Sequence, residues 1–335
     1  MRESVRAADG RQLSVEISGD PQGKAVFLLH GTPGSRLGPA PRGVMLYQQG
    51  VRLIAYDRPG YGSSDRLAHR RVADVAQDVA AIADAMGVDR FAVVGRSGGG
   101  PHALACAAML PDRVTRAAAL VSLAPQEADG LDWFAGMSPS NVAEYTTAAA
   151  GPEKLAVSLE PRSAAIRADP VQLLTQLRWE LTGPDRRVVS DAGVRAMLVR
   201  NYREALRTSA DGWIDDAVAF CNPWGFDPAD ITVPVLLWHG EEDVFSPVSH
   251  SRWLAERIPG ATAVLEPEAA HFTALRVLPD ILTWLLADRP WIYPPAPPAD
   301  GTRGVTRGVG GDAAQDAGRD DAARRRHTTG GSRSR

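Results

Sequence analysis

Short, uninterrupted apolar runs bounded by glycine or polar residues recur along the first third of the chain, at residues 25–31 (AVFLLHG), 51–57 (VRLIAYD), 91–95 (FAVVG) and 117–123. Runs of this length, apolar at consecutive rather than alternate positions, predict strands buried on both faces of a parallel sheet. Residues 72–86 follow a different period. Their apolar positions, Val72, Val75, Val79, Ile82 and Met86, are spaced for one face of a helix, and Gly87 supplies its stop. A further helix is expected between the first two strands, and an alanine-rich one from Ser97 to about Leu110. Residues 4–17 alternate around Ala8-Asp9-Gly10, which predicts a hairpin of two edge strands. Strand and helix alternate, so the fold class is α/β, a mostly parallel doubly wound sheet.

From 124 to 230 the rhythm changes to helical segments carrying Trp133, Trp179, Trp213 and Trp224 among many acids. This stretch reads as an inserted helical cap. Strand character returns at 233–240 (VPVLLWHG), followed by a helix at 248–258, a strand at 261–265 and a last helix at 272–286. After Asp288 the chain turns to PWIYPPAPP and then to Gly, Ala, Asp, Arg, Ser and Thr. Such a composition buries too little apolar surface to fold, so a disordered tail is expected, with Arg324–Arg326 as a solvated run. The expected organisation is a core in two parts, 1–123 and 231–287, a cap at 124–230 and a tail at 288–335.

Composition narrows the function classes. With 44% hydrophobic residues a large core is available, and a net charge of -3 over 335 residues gives no broad attraction for nucleic acid or anionic membrane. No apolar run approaches the ~18 residues of a membrane span, and the charged first 15 residues lack a signal-peptide core. Cys106 and Cys221 lie far apart without metal-ligand spacing and read as reduced packing residues. A cytoplasmic protein with a small-molecule substrate is expected; oligomeric state is open.

Gly95-Arg96-Ser97-Gly98-Gly99 matches G-x-S-x-G and falls where that motif needs to fall, between a buried strand and a helix. A serine hydroxyl needs a base to take its proton. Of seven histidines, His327 lies in the tail, and His69 and His250 read as solvated. His30 and His239 precede glycines at strand ends and read as loop-shaping, while His102 should point away from the serine. His271 is left as the base. The acid that orients it is read as Asp243, with Glu241 and Glu242 as rivals closer to the strand end. The oxyanion of acyl transfer needs preorganised donors, for which the N–H groups of Gly98 and Thr32 are the candidates.

Four segments together, HGTPGS (30–35), DRPGYGSSD (57–65), GRSGGGPHAL (95–104) and HGEEDVFSP (239–247), resemble the α/β-hydrolase superfamily in the branch with a helical cap. The resemblance spans about residues 1–287, broken in the cap. It implies Ser97, Asp243 and His271 as a catalytic triad, Thr32 and Gly98 as an oxyanion hole, and neither metal nor organic cofactor. Related haloalkane dehalogenases and epoxide hydrolases place an aspartate at the position of Ser97, so those chemistries are disfavoured. Haloperoxidase-like esterases and several C–C bond hydrolases usually carry Met where this chain has Gly98. HGTPG is also similar to the corresponding loop of prolyl aminopeptidases, whose cap acids hold the substrate amine. Glu144, Glu180, Glu204, Asp215 and Asp216 are candidates for that role here, with a solvated face as their expected setting. Gly212-Trp213-Ile214-Asp215-Asp216 has no assigned mechanism. The function expected is hydrolysis of a small-molecule ester, before an amide or C–C bond. Alternatives are a prolyl aminopeptidase-like hydrolase and a non-turnover ligand-binding protein.

Overall fold

The computed structural model describes residues 2–287. The predicted tail, with Arg324–Arg326 and His327, lies outside them. Strands β1 (Arg2–Arg6) and β2 (Gln12–Gly19) pair antiparallel across a turn in which Gly10 has φ 92°, a left-handed conformation that glycine adopts without steric cost. The buried strands are β3 (Lys24–Leu29), β4 (Val51–Tyr56), β5 (Phe91–Arg96), β6 (Val114–Leu120), β7 (Val235–Gly240) and β8 (Thr262–Glu266). They form one sheet in the order β1-β2-β4-β3-β5-β6-β7-β8, parallel from β4 to β8 and antiparallel on either side of β2. Only β1 of the hairpin is an edge strand. β2 is interior because its second side pairs with β4.

Side chains alternate across the sheet. Phe27, Leu29, Ile54, Phe91 and Val93 pack on one face against helices α2 (Val75–Ala85) and α3 (Gly99–Met109), while α1 (Gly43–Gln48) sends Leu46 to the other face. On that face Val26, Leu28, Leu53, Val94 and Trp238 meet Val277, Leu278, Ile281 and Leu282 of the last helix (Ala274–Leu286). Both faces are therefore covered, which is why these strands read as apolar runs rather than alternating ones.

Two boundaries differ from the sequence expectation. β6 starts at Val114 because Thr115 and Arg116 are half-buried strand residues that interrupt the apolar pattern; it stops at Leu120, where Val121 turns to φ 47°. The 72–86 segment opens as a 3₁₀ turn, Val72–Asp74, before α2 begins.

Between β6 and β7 the chain forms six helices: α4 (Pro139–Ala149), α5 (Pro152–Ala168), α6 (Val171–Leu177), α7 (Gly183–Val189), α8 (Ala192–Ala205) and α9 (Asp211–Phe220). Helix α10 (Val248–Arg257) follows β7, and a 3₁₀ turn, His271–Thr273, leads into the last helix, α11. No helix among the described residues is long and apolar enough to cross a membrane. Because β3, β5, β7 and β8 are parallel, the loops leaving their C-terminal ends emerge along one edge, where open α/β sheets bind ligands. Those loops carry Thr32, Ser97, Asp243 and His271.

Candidate active site

Ser97 occupies the sharp turn between β5 and α3 with φ 56°, a conformation few non-glycine residues adopt. It is held there from both sides: its N–H donates to Leu120 O at 2.8 Å and its carbonyl accepts from Gly100 N–H at 2.8 Å. The flanking glycines are required sterically. A Cβ on Gly95 would lie 1.9 Å from Gly99 O, and one on Gly99 would lie 2.1 Å from Leu29 O. The strain is concentrated on the one residue whose hydroxyl the turn presents.

Asp243 and His271 meet after β7 and β8. His271 Nδ1 lies 2.8 Å from Asp243 Oδ2, and the N–H groups of Phe245 (2.8 Å) and Ser246 (3.1 Å) donate to Asp243 Oδ1. The pairing assigns the proton to Nδ1 and leaves Nε2 as the accepting nitrogen. Despite burial, His271 and His239 hold the Asp243 carboxyl well below the usual carboxylate range. His239 also bonds Ser251 Oγ and Ser246 O, so it fastens this loop as expected. Glu241 and Glu242 are both exposed, the former paired with Arg252 at 2.8 Å, so of the three acids Asp243 alone reaches the histidine.

Thr32 and Gly98 are brought side by side: a Cβ on Gly98 would lie 2.2 Å from Thr32 Oγ1. Among the described residues neither backbone N–H has a protein acceptor. Thr32 is held by Asp216 of α9, whose Oδ2 accepts from Thr32 Oγ1 (2.7 Å), Tyr61 OH (2.9 Å) and Arg58 Nη2 (2.5 Å). Its Oδ1 accepts from Arg70 Nη2 at 2.7 Å and lies 3.3 Å from His102 Nε2. Arg58 in turn donates to the carbonyls of His30 and Gly31, so one carboxylate ties α9 to the loop after β3. Opposing its burial, the two guanidiniums keep the Asp216 carboxyl well below its usual value, while burial pulls His102 down to about 4 and keeps it neutral.

This hub corrects the expected solvated face. Asp215 and Asp216 are buried, Glu204 pairs with Arg36 at 2.8 Å, Glu180 accepts from Ser140 N and Oγ, and Glu144 accepts from Trp213 Nε1 at 2.7 Å. Their arginine, tryptophan and serine partners lie on other segments, so no local pattern announced them. His250 is likewise buried rather than solvated, bonding Ala124 N and Trp133 O.

Ser97, His271 and Thr32 line one cleft of about 670 Å³, open solvent at its mouth included, together with Arg96, Glu144, Tyr202, Trp213 and Phe245. Of the four tryptophans noted in the insertion, Trp213 reaches it and Trp179 is exposed. Sequence reasoning missed Asp185 of α7, whose Oδ1 accepts from Phe272 N–H at 2.7 Å beside His271. Burial pushes the Asp185 carboxyl up to about 6. Between about pH 4 and 6 the folded protein then holds a proton the unfolded chain has released, so stability falls as pH rises. Asp185→Asn should therefore flatten that slope and be roughly 1–3 kcal/mol more stable than the parent at pH 7, measured by urea unfolding at pH 4 and 7. A variant no more stable at pH 7 contradicts this.

Among the described residues no group of three His, Cys, Asp or Glu side chains has metal-site geometry. Cys106 is buried and Cys221 half-buried, both free. The profile of the alpha/beta hydrolase fold matches residues 24–275. A pimeloyl-[acyl-carrier protein] methyl ester esterase of Nitrosomonas europaea is 27% identical over 263 residues, 77% of this chain and 92% of its own length. A 2-hydroxymuconate semialdehyde hydrolase of Pseudomonas putida is 25% identical, over 76% of this chain and 83% of its own. The crystal structure of a bromoperoxidase from Bacillus anthracis superposes with a TM-score of 0.65 at 19% identity, covering 85% of this chain and 99% of that one, a likeness of fold alone. With the matched segment running from β3 into α11 and so through the loops that carry Thr32, Ser97, Asp243 and His271, the chain belongs to the alpha/beta hydrolase family.

Proposed function

We propose that the protein is a serine hydrolase that cleaves a small-molecule ester through an acyl-enzyme on Ser97, beneath a helical cap formed by residues 124–230. The observation that carries the reading is the His271 Nδ1 to Asp243 Oδ2 hydrogen bond in a histidine that lines the same cleft as Ser97. Ser97 Oγ attacks the ester carbonyl as its proton passes to His271 Nε2; the imidazolium so formed faces the Asp243 carboxylate. The N–H groups of Thr32 and Gly98 receive the oxyanion. On collapse, the alcohol leaves with the proton from Nε2. A water, deprotonated by the same nitrogen, then attacks the acyl carbon, and the returning proton restores Ser97.

An amide or C–C substrate is the lesser form of this reading. Capture of a substrate amine has weaker support, because Glu144, the one of the five candidate acids that lines the cleft, is engaged by Trp213 and lies 3.5 Å from Arg162. The test is rapid-mixing kinetics with p-nitrophenyl butyrate and a panel of short-chain and aromatic esters. The expected trace is a burst of about one nitrophenolate per protein molecule, marking the acyl-enzyme, followed by steady turnover. A single stoichiometric release without turnover favours a ligand-binding protein on this fold, and no release from any ester contradicts esterase activity.

A further inference from the structure

Arg96, between Gly95 and the candidate nucleophile, is a cation without an anion. Among the described residues no carboxylate forms an ion pair with it, and its Nη1 is buried with no hydrogen-bond partner. Its guanidinium lies beside the Phe272 ring, 5.9 Å from Cζ to centroid. Tyr202, Asp185 and Asp243 act on it only through space: Asp243 accepts from His271, Phe245 and Ser246, and Asp185 accepts from Phe272 N–H through Oδ1 while its Oδ2 has no partner among the described residues. The remaining charges of the cleft are accounted for, since Arg162 stacks 4.9 Å over Trp213 and lies 3.5 Å from Glu144. A smaller cavity that Arg96 also lines offers it no acid either: that cavity carries Arg36, paired with Asp57 and Glu204, among His30, Ser35, Asn201 and apolar side chains.

Arg96 is half-buried, and a guanidinium whose Nη1 is shut away from water without a partner costs free energy unless an acceptor arrives. Natural proteins keep such groups where a planar anion is to be held, because the guanidinium fork matches a carboxylate with two parallel hydrogen bonds. The position is also tightly related to the reacting centre. A Cβ on Gly31 would lie 3.5 Å from Arg96 Nη2 and 3.5 Å from Ser97 Cβ, so those two atoms are at most twice that distance apart.

We propose that Arg96 binds a carboxylate of the substrate, so that the cleft takes esters bearing a free carboxylate a few carbons from the scissile carbonyl. The inference rests on Ser97 as the reacting residue, but its test needs no turnover. Two ester pairs are titrated calorimetrically into Ser97→Ala: monomethyl glutarate against methyl 4-carbamoylbutanoate, and 4-acetoxybutanoate against its primary amide. Within each pair size is kept and the charge removed, on the acyl side in the first and the alcohol side in the second.

In at least one pair the carboxylate should bind roughly 10–100-fold more tightly than the amide. Arg96→Met in the same background should bring that preference close to unity, and Arg96→Lys, which keeps the charge and loses the fork, should retain part of it. Equal affinities within both pairs overturn the proposal, whatever the variants do. A preference that persists in Arg96→Met overturns it as well; should that variant not fold, a full preference in Arg96→Lys does so by showing that the fork is not used. Fluorophosphonate labelling of the parent separates the two readings: a protein that labels at Ser97 but shows no charge preference fails only this inference.

Discussion

Asp216→Ala is expected to lower the unfolding free energy by about 3–5 kcal/mol in a urea titration, the cost of removing one partner of a buried ion pair. The carboxylate accepts from Arg58, Arg70, Tyr61 and Thr32, all around a site with no exposure. Its loss takes the carboxylate from two buried guanidiniums at once, since Arg58 then keeps the His30 and Gly31 carbonyls and Thr32 Oγ1, and Arg70 keeps Gly212 O and a 3.8 Å approach to Asp215. Asp216→Asn keeps the acceptor oxygen but not the charge and should fall between the two. In that variant kcat should drop more than KM changes if Thr32 has the proposed oxyanion role, because the single amide oxygen cannot serve both Thr32 Oγ1 and Arg70 and the Thr32 loop is held less firmly. A loss below about 1 kcal/mol in Asp216→Ala contradicts the hub's structural role, because it means that the arginines find equivalent acceptors.

Asp243→Asn should reduce kcat by about 10⁴-fold, with KM little changed and the fold intact. The amide can donate to His271 Nδ1 where the carboxylate only accepts. The imidazole then carries its proton on Nε2, the nitrogen that in the proposed mechanism receives the Ser97 proton. Because the folded value of Asp243 is depressed, its contribution to stability is present above the ordinary carboxylate value near ~3.9 and is lost only as pH falls below it. Asp243 therefore stays ionised across the neutral range, and an acidic limb of a pH–rate profile near neutrality belongs to another group. A variant with kcat within tenfold of the parent contradicts the role given to Asp243.

The sequence made the framework readable where the physics is local. Runs such as FAVVG are apolar at every position because both faces of β5 are covered, and the glycines around Ser97 are there because Gly99 O and Leu29 O approach their Cα atoms. The order of Ser97, Asp243 and His271 was legible too, since parallel strands deliver successive loops to one edge. What the sequence concealed was pairing over long separations. Asp216 looks like any acid in the middle of a short helix until Arg58 and Arg70, more than 140 positions earlier, are seen to face it. Asp185 and His250 were hidden for the same reason, because burial of a polar side chain depends on partners that no period reveals. Arg96 was the converse: it stood in plain view within the motif, but only the packing shows that, among the described residues, no carboxylate pairs with it.

The most direct measurement of the central claim is mass spectrometry of the intact protein and its tryptic peptides after reaction with a fluorophosphonate. The account predicts one adduct per chain, on Ser97, absent from Ser97→Ala and strongly slowed in His271→Ala. A folded parent that takes up no adduct, or takes it up on another residue with Ser97 unmodified, contradicts the assignment of Ser97 as the nucleophile.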